Sequence, residues 1–145
     1  MPVDFEAGGS WWDRLAAAGF DSDRPAVVAS AGVSMYLTKD ANAATLRQLA
    51  SLAPGSTLVM TFMRPMELLD DEDRPAVQAA MAGARGSGTP FISFFAPPEV
   101  LSLARDAGFE DAQYVSAAML NQRYFAGRSD GLRTSSGEEM LIATT

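Results

Sequence analysis

Short apolar runs closed off by turn residues alternate along this chain with stretches of helical period. That alternation narrows its fold more than any other feature. AVVAS at 26–30 is apolar and bounded by Pro25 and Gly32. It is too short for a helix and reads as a buried strand. TLVMTFM at 57–63 repeats the pattern, and MLIATT at 140–145 repeats it after a Ser135-Ser136-Gly137 turn. Residues 112–117 alternate about Tyr114 and read as a further strand. In Pro2 to Phe5, Val3 and Phe5 flank Asp4 as the end of another.

The segments between these runs carry helix signals. Ser10 is placed to cap a helix through Trp11, Trp12, Leu15 and Ala16, with Gly19 and Phe20 suited to the positions after its end. Thr38 predicts the cap of a second helix, and Asp40 favours its positive end. Leu46, Leu49, Ala50 and Ala53 share one face of it, and Pro54-Gly55 stops it. Pro97 and Pro98 suit the first turn of a helix with Val100, Leu103, Ala104 and Ala107 on its buried side. Gly108-Phe109 ends it, and residues 119–125 predict a last helix. Residues 66–88 hold Asp70, Asp71, Glu72 and Asp73, then Pro75, an alanine-rich stretch and Gly-Ser-Gly. They read as an insertion, partly helical, placed where a lid would lie. The acidic cluster reads as a solvated helix start or, less simply, a metal site.

Strands alternating with helices predict an α/β fold, a sheet with helices on both faces. At 145 residues the chain has the size of one domain, 1–145.

Composition removes several functions. Acids outnumber bases 18 to 11, for a net charge of −7, which argues against a nucleic-acid partner. With no cysteine and no histidine, thiolate chemistry, imidazole ligands and Ser-His-Asp triads are excluded. Proton transfer would rest with Asp, Glu, Tyr, Lys or water. No apolar run approaches the roughly 20 residues that cross a bilayer, and the first residues do not resemble a signal peptide. The expected location is the cytoplasm, away from membranes.

The segments PVDFE, WWDRLAAAGFD, PAVVASAGVSMYLT, LRQLASLAPGSTLVMTF, SFFAPPEVLSLARDAGF and RYFAGRSDGLRTSSGEEMLIATT, in that order, resemble the class I methyltransferases that use S-adenosylmethionine. More narrowly, they resemble the bacterial branch of the leucine carboxyl methyltransferase family. The resemblance covers nearly the whole chain and corresponds to the C-terminal half of the family's Rossmann-like domain. It implies S-adenosylmethionine as cofactor and a small molecule or peptide as substrate, methylated on a carboxylate or hydroxyl. It implies that Asp4 accepts from the adenine amino group and that Phe5 flanks the ring. Ser30, Ala31 and Gly32 would pass close to the methionine moiety or the reacting methyl; Ala31 stands where many relatives carry glutamate. Tyr36, Arg64, Arg123 and Tyr124 become substrate-binding candidates, each with a plainer alternative as a surface arginine or an edge-packed tyrosine. A carboxylate acceptor is already deprotonated at neutral pH and needs no general base, which suits a chain without histidine.

The glycine-rich turn after the family's first strand, and the acid after its second, have no counterpart here. The resemblance therefore predicts that the AVVAS strand has an unpaired edge. A missing N-terminal half, or a second copy of the chain, would fill it. The alternative function is a non-catalytic remnant or interaction module of the same fold.

Overall fold

The computed structural model describes residues 4–6 and 11–145. Ser10, Pro2 and Val3 lie outside them. Four strands form one sheet: β1 Val27–Ser30, β2 Thr57–Met63, β3 Asp111–Val115 and β4 Glu138–Thr144, in the order β1-β2-β4-β3. β1 and β2 are parallel, with Val27 opposite Thr57. The short helix α1, Trp12–Ala17, precedes β1. Parallel neighbours need a crossover, which the helix α2, Lys39–Ala50, provides. β4 enters antiparallel between β2 and β3, with Thr144 opposite both Thr57 and Asp111. It begins earlier than the apolar run MLIATT, because Glu138 and Glu139 pair with Met63 and Phe62. Two carboxylates in a row hid that start from the sequence.

The main core lies on one sheet face. Leu58, Met60 and Phe62 of β2 and Leu141 and Ala143 of β4 meet Leu46 and Leu49 of α2, with Val100 and Ala104 of a helix spanning Pro97–Ala107. Each large side chain here is almost fully buried, contributing roughly 1.5–3 kcal/mol. Thr38 caps α2 as expected, its Oγ1 accepting from the Ala41 N–H at 3.2 Å. A second cluster joins Met35, Met63, Leu69 and Val77. Met63 points to the face opposite Phe62, so the helix α3, Arg74–Gly86, covers the carboxyl end of that face. Val59 and Ile142, further along it, are only half-buried. The segment 66–88 is thus mostly helix, entered through a single 3-10 turn at Met66–Leu68.

Two expectations change. Residues 4–6 form a turn rather than a strand end: the Glu6 N–H donates back to Asp4 Oδ1 at 3.0 Å, the side-chain-to-backbone bond that favours turns at Asp. The AVVAS strand is less buried than its apolar run implies, with Val27 80% exposed, while it pairs with β2 alone and so has the unpaired edge that the resemblance predicts. A continuous apolar run marks a strand designed for neighbours on every side. Among the described residues only one side is covered.

Gly137 is required for a different reason than backbone conformation. A Cβ there would lie 2.5 Å from Val77 Cγ2 and 3.3 Å from Ser135 Oγ, wedging β4 away from α3. Gly137→Ala is expected to lower stability by about 1–3 kcal/mol, measured as a drop in the urea midpoint. An unchanged midpoint would mean that β4 and α3 do not approach this closely.

Candidate functional site

The loop between β1 and α2 organises the carboxyl end of the sheet. It leaves β1 through Gly32, whose φ of 67° lies in the left-handed region that glycine enters most readily. The Gly32 N–H donates to Thr61 Oγ1 at 2.8 Å, and Ser34 Oγ donates to the Thr61 carbonyl at 2.8 Å. A single 3-10 turn follows at Ser34–Tyr36. Buried Asn42 locks the turn from α2, its Nδ2 donating to the carbonyls of Ser34 at 2.9 Å, Thr38 at 3.0 Å and Leu37 at 3.3 Å. Across the turn, the Ile92 N–H donates to the Met35 carbonyl at 2.8 Å and the Phe95 N–H to the Met63 carbonyl at 2.9 Å.

This loop divides two clefts. On one side a cleft of about 210 Å³ is walled by Phe5, Trp11, Val28, Ser30, Asn42 and Leu49. The Phe5 ring meets Trp11 edge-on at 6.2 Å. Glu6 holds this short segment to α2: its carboxylate accepts from the Thr38 N–H at 2.6 Å and from Thr38 Oγ1 at 3.0 Å. Trp11 Nε1 is buried and, among the described residues, has no hydrogen-bond partner. On the other side a cleft of about 380 Å³ lies over the second core cluster, bounded by Gly32, Met35, Tyr36, Val77, Phe91 and Glu138. Tyr36, 43% exposed, meets Phe91 edge-on at 5.2 Å.

The residues singled out from the sequence are distributed unevenly. Phe5 and Ser30 line the first cleft, and Gly32 and Tyr36 the second. Asp4 and Ala31 are exposed beside them. Arg64 is engaged in the sheet instead: its Nη1 donates to Glu139 Oε1 and to the Ser136 carbonyl, both at 3.3 Å, and its Nε lies 3.3 Å from Glu139 Oε2. Glu139 is 2% exposed. It also accepts from the Ala117 N–H at 2.8 Å and from the Tyr114 hydroxyl. Burial, and then the Glu139 carboxylate, push the Tyr114 phenol well above its ordinary pKa, so it remains a donor. Arg123 and Tyr124 sit on a π-helical turn, Asn121–Phe125, where the guanidinium lies 5.5 Å from the Tyr124 ring centroid. Both are exposed and line neither cleft.

Sequence reasoning missed Trp11, Asn42, Thr61 and Glu138. Asn42 carried a signal, because a polar residue on the same helical face as Leu46 and Leu49 needs buried partners. The acidic cluster also differs from a solvated helix start. Asp73 is buried, with Arg133 Nη2 2.7 Å from its Oδ1, and with the N–H and hydroxyl of Ser136 each 2.7 Å from its Oδ2.

A mixed sheet in this order, with a crossover helix and the clefts at its carboxyl end, is the arrangement of class I methyltransferases. An O-methyltransferase family protein from Burkholderia thailandensis superposes on 99% of the chain with a TM-score of 0.53 at 16% identity, over 34% of its own length. A duf574 family protein from Streptomyces avermitilis covers the whole chain at a TM-score of 0.69 and 16% identity, over 54% of its length. These likenesses show the fold. In sequence, residues 1–50 match the leucine carboxyl methyltransferase family. YktD of Bacillus subtilis, provisionally named an S-adenosyl-L-methionine-dependent methyltransferase, is 28% identical over 133 residues, 91% of this chain and 43% of that protein. The chain is similar in sequence to these methyltransferases, and it spans less than half the length of the curated relatives it matches.

Proposed function

We propose that the two clefts are one wall of an S-adenosyl-L-methionine site and the adjoining acceptor site of a methyltransferase. The observation that carries this reading is their placement. They flank one loop beyond the carboxyl ends of parallel β1 and β2, where ligands bind in open α/β sheets. S-adenosyl-L-methionine, when bound, supplies a methyl group already activated on a sulfonium, so the protein's tasks are alignment and water exclusion.

The residues of the first cleft suit that molecule. Phe5 and Trp11 offer an aromatic wall for a purine, and Trp11 Nε1 is a buried donor with no acceptor among the described residues. Asp4, beside Phe5, is positioned for an exocyclic amino group. Ser30, Ala31 and Gly32 give a small-residue passage to the second cleft, and nothing lies within 4 Å of where a Gly32 Cβ would stand. In the second cleft, Tyr36 and Phe91 face the acceptor and α3 forms the outer wall, the role expected of a lid. The family resemblance names a carboxyl or hydroxyl oxygen of a small molecule or peptide as the methyl acceptor.

Calorimetric titration with S-adenosyl-L-methionine tests this reading. Saturable binding is expected, weakened at least tenfold by Ser30→Trp, which places an indole in the first cleft from the face that Ser30 shares with Val28 and Met60. A folded chain that takes up no ligand would reject it. The free edge of β1 favours a second reading, a module that pairs with another strand, and that reading predicts such a silent titration.

A further inference from the structure

We propose that the second cleft selects an aromatic molecule whose polar end is a cation or a neutral N–H or O–H donor, and that it rejects carboxylates. This rests on the reading of that cleft as the acceptor site and narrows its substrate class.

The walls are apolar and aromatic: Met35, Met63 and Val77 form the floor, and Tyr36 and Phe91 stand at the side. Aromatic edges and polarisable methionine suit a planar ring. Among the described residues, Glu138 is the only charged side chain lining the cleft. It is cross-strand partner to Met63, so both side chains project from the same sheet face. Among the described residues Glu138 forms no ion pair.

The cations that would hold a carboxylate are committed elsewhere. Arg64, nearest in the chain to the carboxyl end of β2, is paired with Glu139, which alternates to the opposite face from Glu138. Arg133 is paired with Asp73 and Glu72, and Arg74 with Asp71. A carboxylate entering this cleft would meet one unpaired carboxylate and no counter-charge. An ammonium or a hydroxyl would meet an acceptor, with aromatic faces that also attract cations. The chain's net charge of −7 favours cation entry over anion entry in the same direction.

Three ligands with one ring separate these cases: tryptamine, tryptophol and indoleacetate, titrated into the protein at neutral pH and low salt. Tryptamine is expected to bind most tightly, tryptophol next, and indoleacetate at least tenfold more weakly than tryptamine. Glu138→Gln is expected to remove most of the tryptamine advantage and to strengthen indoleacetate, while Glu67→Gln, at a site that does not line the cleft, leaves the order intact. Indoleacetate binding as well as tryptamine would overturn the proposal. So would an order insensitive to Glu138→Gln, or no saturable binding of any of the three. Circular dichroism of Glu138→Gln establishes that the variant is folded. The S-adenosyl-L-methionine titration is scored separately. Charge-selective binding of the indoles without cofactor binding would sink the methyltransferase reading alone, and cofactor binding with indoleacetate preferred would sink the acceptor proposal alone.

Discussion

Replacing Glu139 by alanine is expected to cost about 3–5 kcal/mol, the loss typical of removing one partner of a buried ion pair. For a domain stable by roughly 5–15 kcal/mol, that is the difference between a folded and a marginal protein. Glu139 sits near the start of β4 on the sheet's inner face, 2% exposed and opposite Phe62 of β2. Its removal leaves Arg64 without its counter-charge, and it orphans the Tyr114 hydroxyl and the Ala117 N–H at the start of the helix Ala117–Leu120. Glu139→Gln keeps acceptor capacity and is expected to cost less. The double change Glu139→Leu with Arg64→Met removes both charges and should recover much of the loss, because a matched apolar pair carries no desolvation penalty. Urea unfolding of the single and double variants measures the coupling. Independent, additive losses would show that the two side chains are not paired in the folded protein.

Asp73 provides the second large effect, and it depends on pH. The Arg133 guanidinium, aided by the Ser136 N–H and hydroxyl, holds its carboxyl at about 2, below the ordinary 3.8. A lowered folded-state pKa means that the stabilisation is complete above the unfolded value and is lost as pH falls from about 4 towards about 2. The shift corresponds to at most about 2.5 kcal/mol, and the partial exposure of Arg133 reduces it. Asp73→Asn is expected to lower stability at neutral pH by about 1–2 kcal/mol and to flatten this part of the acid limb. Melting temperatures of both proteins across the acid range test it. An acid limb identical to that of the parent would assign the transition to other carboxylates. Because Asp73 ties α3 to the segment before β4, its loss also loosens the outer wall of the acceptor cleft.

Much of the fold was legible before the structure. The runs at 57–63 and 97–107 match β2 and the Pro97–Ala107 helix because apolar period and proline punctuation agree there. Gly19 and Gly108 take the left-handed conformation at their helix ends for the reason that made them recognisable. Less of the site could be read. Arg64 looked like a free cation at a strand end, since nothing local shows that Glu139, 75 residues away in the chain, turns it inward. Asp73 looked solvated among its acidic neighbours, and its partners Arg133 and Ser136 lie some 60 residues on.

The sequence by itself determined the alternation of strands and helices, the Thr38 cap and most of the core, because these follow from the period of apolar residues and the local chemistry of turns. The absence of histidine and cysteine, and the acidic balance, were equally plain. Only the tertiary structure decided which charges are consumed in pairs and which remains in a cleft. It placed β4 between β2 and β3, and sent Glu139 to one face and Glu138 to the other. Pairing between distant charges depends on register and topology, and a strand's two-residue period turns adjacent identical carboxylates to opposite surroundings.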